Sequence, residues 1–172
     1  MKKLVLAAII VLAALTGMNA QEYKWWAGGR THFWGNDNRA SFSVAPEVGY
    51  HLSPRFTLAA SLAYHAIKSN NDKLTPDFSG CIVNPYIRYT AFKSGNLLGF
   101  IDGGMEFGLG DFEGFQIGFK PGVALLLTNR ITAATQFGFI GYNDGNGIAG
   151  RTKGVGFDLS GYCTTIAFFY SF

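Results

Sequence analysis

The chain has 172 residues, one domain's worth, with 16 Phe, 8 Tyr, 3 Trp and 23 Gly but only 15% charged residues. That is too apolar for a disordered chain and too rich in glycine for a helical bundle. The formal charge of +3 falls close to neutral once Lys2 and Lys3 are set aside, which argues against a nucleic-acid partner, and 2 cysteines are too few for a disulfide scaffold.

Met1-Lys2-Lys3 is a basic start, Leu4 to Leu15 an unbroken apolar run, and Thr16 to Ala20 a small or polar exit. This predicts a secretory signal over residues 1–20, too short to span a bilayer as a helix. Cleavage is expected between Ala20 and Gln21, leaving one domain over residues 21–172. No cysteine stands just after the apolar run, so a lipoprotein is not expected.

From there on apolar and polar residues alternate, and no stretch carries a helical apolar period. The alternation predicts eight strands: Tyr23–Trp34, Ser41–Leu52, Phe56–Ile67, Ile82–Phe92, Leu97–Gly110, Phe115–Leu127, Ile131–Tyr142 and Tyr162–Phe172. Short turns at Ser53–Arg55, Lys93–Asn96 and Thr128–Arg130 join alternate pairs. The other connections, Gly35–Ala40, Lys68–Cys81, Asp111–Gly114 and Asn143–Gly161, are more variable. Short turns at one end and longer polar loops at the other are the asymmetry of a membrane barrel with both termini on the turn side.

A weak repeat runs through the middle. Pro46-Glu47-Val48-Gly49-Tyr50, Pro85-Tyr86-Ile87-Arg88-Tyr89 and Pro121-Gly122-Val123-Ala124-Leu125 each precede a short turn and a returning strand. Such a period also suits a solenoid or propeller, but three hairpins with two flanking strands make eight. Each proline removes a ladder donor, so local bulges are expected there.

The faces decide between a soluble and a membrane barrel. One parity of each strand is apolar, as in Phe42, Val44, Pro46, Val48 and Tyr50 or Phe115, Ile117, Phe119, Pro121 and Val123, and carries no charge. Every strand charge falls on the other parity: Lys24, Arg30, Glu47, Arg88, Asp102, Glu106 and Lys120. The apolar set would overfill a small interior, whereas a lipid-facing Arg or Lys at mid-depth costs about 2–4 kcal/mol. Aromatics fall into two belts, Phe33, Phe42, Tyr64, Phe107, Phe115 and Phe139 toward the loops, and Tyr23, Trp25, Tyr50, Phe56, Tyr89, Tyr170 and Phe172 toward the turns. The expected fold is all-β, an eight-stranded antiparallel up-and-down transmembrane β-barrel.

Its lumen should be charged but nearly neutral. The hairpin about Lys93–Asn96 sets Arg88 opposite or diagonal to Asp102. The next brings Glu106 within a diagonal step of Lys120, and the first brings Arg30 toward Glu47, with His65 and Gln136 nearby. Eight strands leave an interior just wide enough for side chains to fill, which favours a plug over a pore.

The chain ends on Thr164-Thr165-Ile166-Ala167-Phe168-Phe169-Tyr170-Ser171-Phe172, with Phe168, Tyr170 and Phe172 on one face. Barrel closure would hold such a strand by pairing it with the first. The ending resembles the terminal strand of bacterial outer-membrane barrels, and the pattern as a whole resembles the small eight-stranded outer-membrane β-barrel family (OmpX / OmpA membrane-domain type) over Tyr23 to Phe172. The resemblance implies an integral protein of the Gram-negative outer membrane, a monomer with periplasmic termini among outer-membrane lipids and lipopolysaccharide. It also implies the secretion and barrel-assembly machinery as partners, the latter reading Phe168, Tyr170 and Phe172. Phe157-Asp158-Leu159 breaks the last strand's parity, so Ser160–Tyr162 is expected to be a bulge or loop end.

Catalytic candidates are few. His51-Leu52-Ser53 has the His-x-Ser spacing of outer-membrane lipid A deacylases, but it falls at a turn-side end and reads as an ordinary polar turn. His65 and Ser69 lack an orienting carboxylate at a matching spacing, and His32 lacks a second His or Cys beside it. Cys81 and Cys163 belong to strands on opposite sides of the ring and read as free thiols. No catalytic, cofactor or metal residue is assigned. The leading reading is a non-enzymatic barrel serving envelope integrity or surface contact; the alternatives are a narrow porin-like conduit and a lipid-modifying enzyme.

Overall fold

The computed structural model describes residues 24–35, 39–69, 77–144, 153–159 and 165–172. The expected signal, its cleavage site, Tyr23, Tyr162, Cys163 and Thr164 lie outside them. The described chain is all-β. Six long strands come first: β1 (Trp25–Gly35), β2 (Arg39–His51), β3 (Phe56–Ser69), β4 (Phe78–Ser94), β5 (Leu97–Gly110) and β6 (Gly114–Leu126). β7 (Ile131–Gln136) and β8 (Phe139–Asn143) are two parts of the seventh position. β9 (Gly154–Asp158) and β10 (Thr165–Ser171) form the eighth.

Neighbours pair antiparallel, and β10 pairs with both β7 and β1, closing an eight-position barrel. At the seam Trp25 and Phe172 exchange backbone hydrogen bonds of 3.3 and 2.9 Å, so the final residue is itself part of the closure. Closure leaves the first and last strands no free edge there.

Period-two alternation settles which side chains go where. In β3, Leu58, Leu62 and Tyr64 point out and are exposed, while Thr57, Ala59, Ser61 and Ala63 are buried. In β10, Ile166, Phe168 and Tyr170 are exposed, and Ala167 and Phe169 are buried. The outward set is apolar along the strands. Lys68 and Lys93, which the observed strands take in beyond their predicted ends, stand at the extremities of β3 and β4. Lys24 precedes β1 rather than lying within it.

The bulges expected at the prolines do not form at Pro46 and Pro85. The β2–β3 ladder skips Ala45 and Pro46 and the β4–β5 ladder skips Asn84 and Pro85, yet the register is the same on either side of each gap. A missing donor is tolerated as a missing rung. The register shift in β4 comes instead between Thr90 and Phe92. Opposite Pro121 the neighbouring strand does break: Phe137 donates its N–H to the Pro121 carbonyl at 2.9 Å, and Gly138 takes a left-handed φ of 82°. That break reverses the parity beyond it. Phe139, expected in the loop-side belt, is turned inward and 4% exposed, and Ile140 faces out. The last strand is also corrected: Gly154–Asp158, expected in a loop, pairs with β8.

Two turns share one device. Ser53 Oγ accepts from the N–H groups of Arg55 and Phe56 at 3.3 and 3.1 Å, and Thr128 Oγ accepts from those of Arg130 and Ile131 at 3.2 and 3.0 Å. Hydroxyl residues stabilise tight turns in this way. The third turn uses Gly95 at φ 58°.

Candidate functional site

Inward side chains fill the lumen in two layers. Toward the turns, Trp26, Phe100 and Phe169 pack with Ala59, Ala124, Ala134 and Ala167 in one buried cluster. Trp26 and Phe169 rings are 4.4 Å apart and tilted by 57°. Room for them comes from glycine. A Cβ on Gly49 would stand 2.3 Å from the Trp26 indole, and one on Gly122 would stand 2.3 Å from the Phe100 ring.

Above this layer lies a closed polar ring. Arg88 grips Asp102 with two charge-assisted hydrogen bonds, Nε to Oδ1 at 2.7 Å and Nη2 to Oδ2 at 2.8 Å. The two residues face each other directly across β4 and β5. Gln136 donates to Asp102 Oδ2 at 2.5 Å and accepts from Arg30 at 3.0 Å. Arg30 pairs with Glu47 at 3.8 Å, one diagonal step across β1 and β2. The Tyr86 hydroxyl donates to Glu47 and lies 3.5 Å from Arg88 Nη2, which completes the circuit. Thr165 joins it at Gln136 and Arg30, both at 3.4 Å. The ring thus ties β1, β2, β4, β5, β7 and β10 together through their side chains.

A second cluster sits toward the loops around Glu106. Lys120 and Gln116 both donate to it, as does Asn84 at 2.9 Å, and Asn143 donates to Gln116 at 3.3 Å. Lys120 is further from Glu106 than the single diagonal step expected. It stands opposite Asp102, while Glu106 stands opposite Gln116, and the long lysine stem reaches along the strand to Glu106. All six expected lumen charges, Arg30, Glu47, Arg88, Asp102, Glu106 and Lys120, therefore sit in ion pairs, with the carboxylates of Glu47 and Asp102 each 3% exposed.

Arg88 joins the two layers. Its guanidinium lies 3.9 Å from the Phe100 ring centroid while it holds Asp102 on its other side. A planar guanidinium sets its face on the ring while its edge donates two parallel hydrogen bonds to the carboxylate, a fork that an ammonium lacks. Between the ring and Glu106 the side chains leave about 10 Å³ for the centre of a water molecule, the threshold for holding one. A wider space of about 380 Å³ opens beside β8 and β9, lined by Phe139, Asn143, Lys153 and Asp158.

The remaining candidates are placed as follows. His51 Nδ1 hydrogen-bonds Thr57 Oγ1 at 2.8 Å, and Ser53 Oγ is engaged by turn amides. His65 meets Phe112 with ring centroids 5.6 Å apart and the rings tilted by 53°, and the His32 backbone lies opposite Ser43. Cys81 is a half-buried free thiol. Among the described residues no group of His, Cys, Asp and Glu side chains is arranged to hold a metal ion.

Sequence reasoning missed Tyr86, Asn84, Gln116 and Asn143 as network members, and it missed the aromatic layer. Inward parity was the available signal: Asn84 and Tyr86 alternate with Arg88, and Trp26 and Phe100 share the inward parity of their strands. No protein-family model and no curated protein matches the chain.

Proposed function

We propose that this is a non-enzymatic integral outer-membrane β-barrel of the OmpX / OmpA membrane-domain type, with a plugged lumen and a role in envelope integrity or surface contact. One observation carries the reading. The outward face is apolar along the strands, with residues such as Leu58, Leu62, Ile101, Phe119 and Phe168 each at least 40% exposed, while the charges of the strand interiors are paired inside. An apolar face of that extent suits hydrocarbon, and an inward ion-paired network suits a lumen shielded from water. The six long strands have 11 to 17 residues, enough for a tilted membrane-spanning strand. In this reading residues 1–20 are removed on export, the turns face the periplasm, and Phe168, Tyr170 and Phe172 serve as the assembly signal on the closing strand.

The aromatic layer and the ring beneath the loops favour the plug over the narrow conduit. In detergent the mature chain should give a band that shifts on heating, and in planar bilayers it should give no steady unitary current. A chain that folds fully in buffer without detergent would overturn the membrane reading. Regular unitary conductance from the heat-modifiable form would replace the plug with the conduit. Unchanged lipid A in cells expressing or lacking the protein is expected, and an altered acylation pattern would move the assignment to an enzyme.

A further inference from the structure

The two ends of the barrel differ in charge. Around the turn-side rim stand Lys24, Arg55, Lys93 and Arg130, all exposed, and no acidic side chain occurs in these turns. The loop side mixes Asp77, Asp111, Glu113 and Asp144 with Lys68 and Lys153. The basic rim is built twice on one plan. Leu52-Ser53-Pro54-Arg55 and Leu127-Thr128-Asn129-Arg130 are the two hydroxyl-stabilised turns, and each ends in an arginine. Arg55 Nη1 reaches the Tyr89 hydroxyl at 3.5 Å, and Arg130 Nη1 reaches that of Tyr170 at 2.9 Å. Both tyrosines lie on the outward face of their strands, in the turn-side aromatic belt. Each guanidinium is therefore drawn onto the outer wall at the rim and away from the lumen.

We propose that these two Arg–Tyr pairs, supported by Lys24 and Lys93, are binding sites for the headgroups of anionic phospholipids in the adjoining leaflet. The inference rests on the membrane reading above. A guanidinium on the outer wall at the aromatic belt meets headgroup phosphates, and its fork of donors matches phosphate oxygens. The tyrosine hydroxyl orients the fork and can itself donate to the lipid. The described turns carry no acidic side chain, so their bases outnumber the terminal carboxylate of Phe172 and favour anionic headgroups over zwitterionic ones, each base adding to the attraction.

The test uses the refolded full-length mature chain in micelles containing equal amounts of phosphatidylglycerol and phosphatidylcholine, with retained lipid counted by native mass spectrometry. Phosphatidylglycerol adducts should dominate. Arg55→Gln/Arg130→Gln should lower that preference by about thirtyfold, Tyr89→Phe/Tyr170→Phe should lower it less, and the loop-side pair Lys68→Gln/Lys153→Gln should leave it unchanged. Millimolar inorganic phosphate should not displace the lipid. Equal retention of both lipids by the parent, or an unchanged preference in the arginine variant with its heat-shifted band intact, overturns the proposal. A parent chain that inserts into neither lipid overturns the membrane reading with it. Insertion without preference overturns this inference alone.

Discussion

The two layers of the lumen obey the same parity rule and solve it with opposite chemistry. The turn-side layer sets aromatic rings against Ala and Gly, so its fit depends on shape: Trp26 over Gly49, Phe100 over Gly122. The loop-side layer sets charges against amides and carboxylates, so its fit depends on every partner being present. A shape-fitted layer yields gradually when an atom is lost, because neighbours relax into the gap. A charge-fitted layer yields abruptly, because removing one partner leaves the other buried and unpaired. The difference teaches that the lumen's stability is concentrated at the junction, Arg88, which belongs to both.

Breaking the polar layer at that junction should have the largest effect. Asp102→Ala removes both carboxylate acceptors of Arg88, leaving it only the Tyr86 hydroxyl at 3.5 Å, and removes one partner of Gln136. It should destabilise the barrel by about 3–5 kcal/mol in urea unfolding from detergent or lipid. Arg88→Met combined with Asp102→Ala should recover part of that loss, since no charge is then stranded. Unfolding midpoints equal to the parent's for both variants would mean a solvated lumen, and the narrow conduit would then replace the plug.

Phe100→Ala tests the other layer. Loss of a buried ring that also supports Arg88 should cost about 3 kcal/mol, the lower end for an aromatic deletion because Arg88 can settle into the space. The same variant should admit small ions, read as current steps in a planar bilayer where the parent gives none. A large current from the parent would show that the aromatic layer does not seal.

Gly122→Val should cost less, about 1–3 kcal/mol, by forcing the Phe100 ring from its place. Pairing it with Phe100→Ala should remove the part of that penalty owed to the ring, while the crowding of the Thr135 carbonyl, 2.6 Å from the added Cβ, remains. If the two penalties simply add, Phe100 and Gly122 are not in the packing relation described here.

Much of this was legible in the sequence because a barrel wall makes parity physical. Within an unbroken strand a residue faces lipid or lumen by parity, so the inward set of charges was legible; the Arg88–Asp102 partnership, expected from a hairpin about Lys93–Asn96, is reached through the register shift between Thr90 and Phe92. What parity cannot carry is a change of phase. The break at Phe137-Gly138 reversed the faces beyond it and put Phe139 inside. Nor does parity give reach. Backbone register sets Lys120 against Asp102, and only the length of the lysine stem and the prior claim of Arg88 on Asp102 send it to Glu106. The aromatic layer was readable but unread, since its signal is the coincidence of an inward ring with small inward residues on other strands rather than any feature of one strand.

The smallest expected effect comes from the place where, among the described residues, the polar layer is incomplete. Ser61 lies opposite Glu47 on β2 and Asn84 on β4, at the height of the ring, and is 4% exposed. Its hydroxyl is buried without a hydrogen-bond partner among the described residues. Glu47 is engaged by Tyr86 and Arg30, and Asn84 by Glu106, so neither neighbour turns to it. An unsatisfied buried hydroxyl is a net loss relative to an apolar group of the same shape. Ser61→Ala should therefore be neutral or stabilising by up to about 1 kcal/mol, the opposite sign to every other change in this layer. The measurement is the same urea transition, read beside Asp102→Ala. Destabilisation by more than about 1 kcal/mol would mean that a buried water joins Ser61 to the ring. The polar layer would then be complete, and its wet space would extend further toward the turns than the side chains alone define.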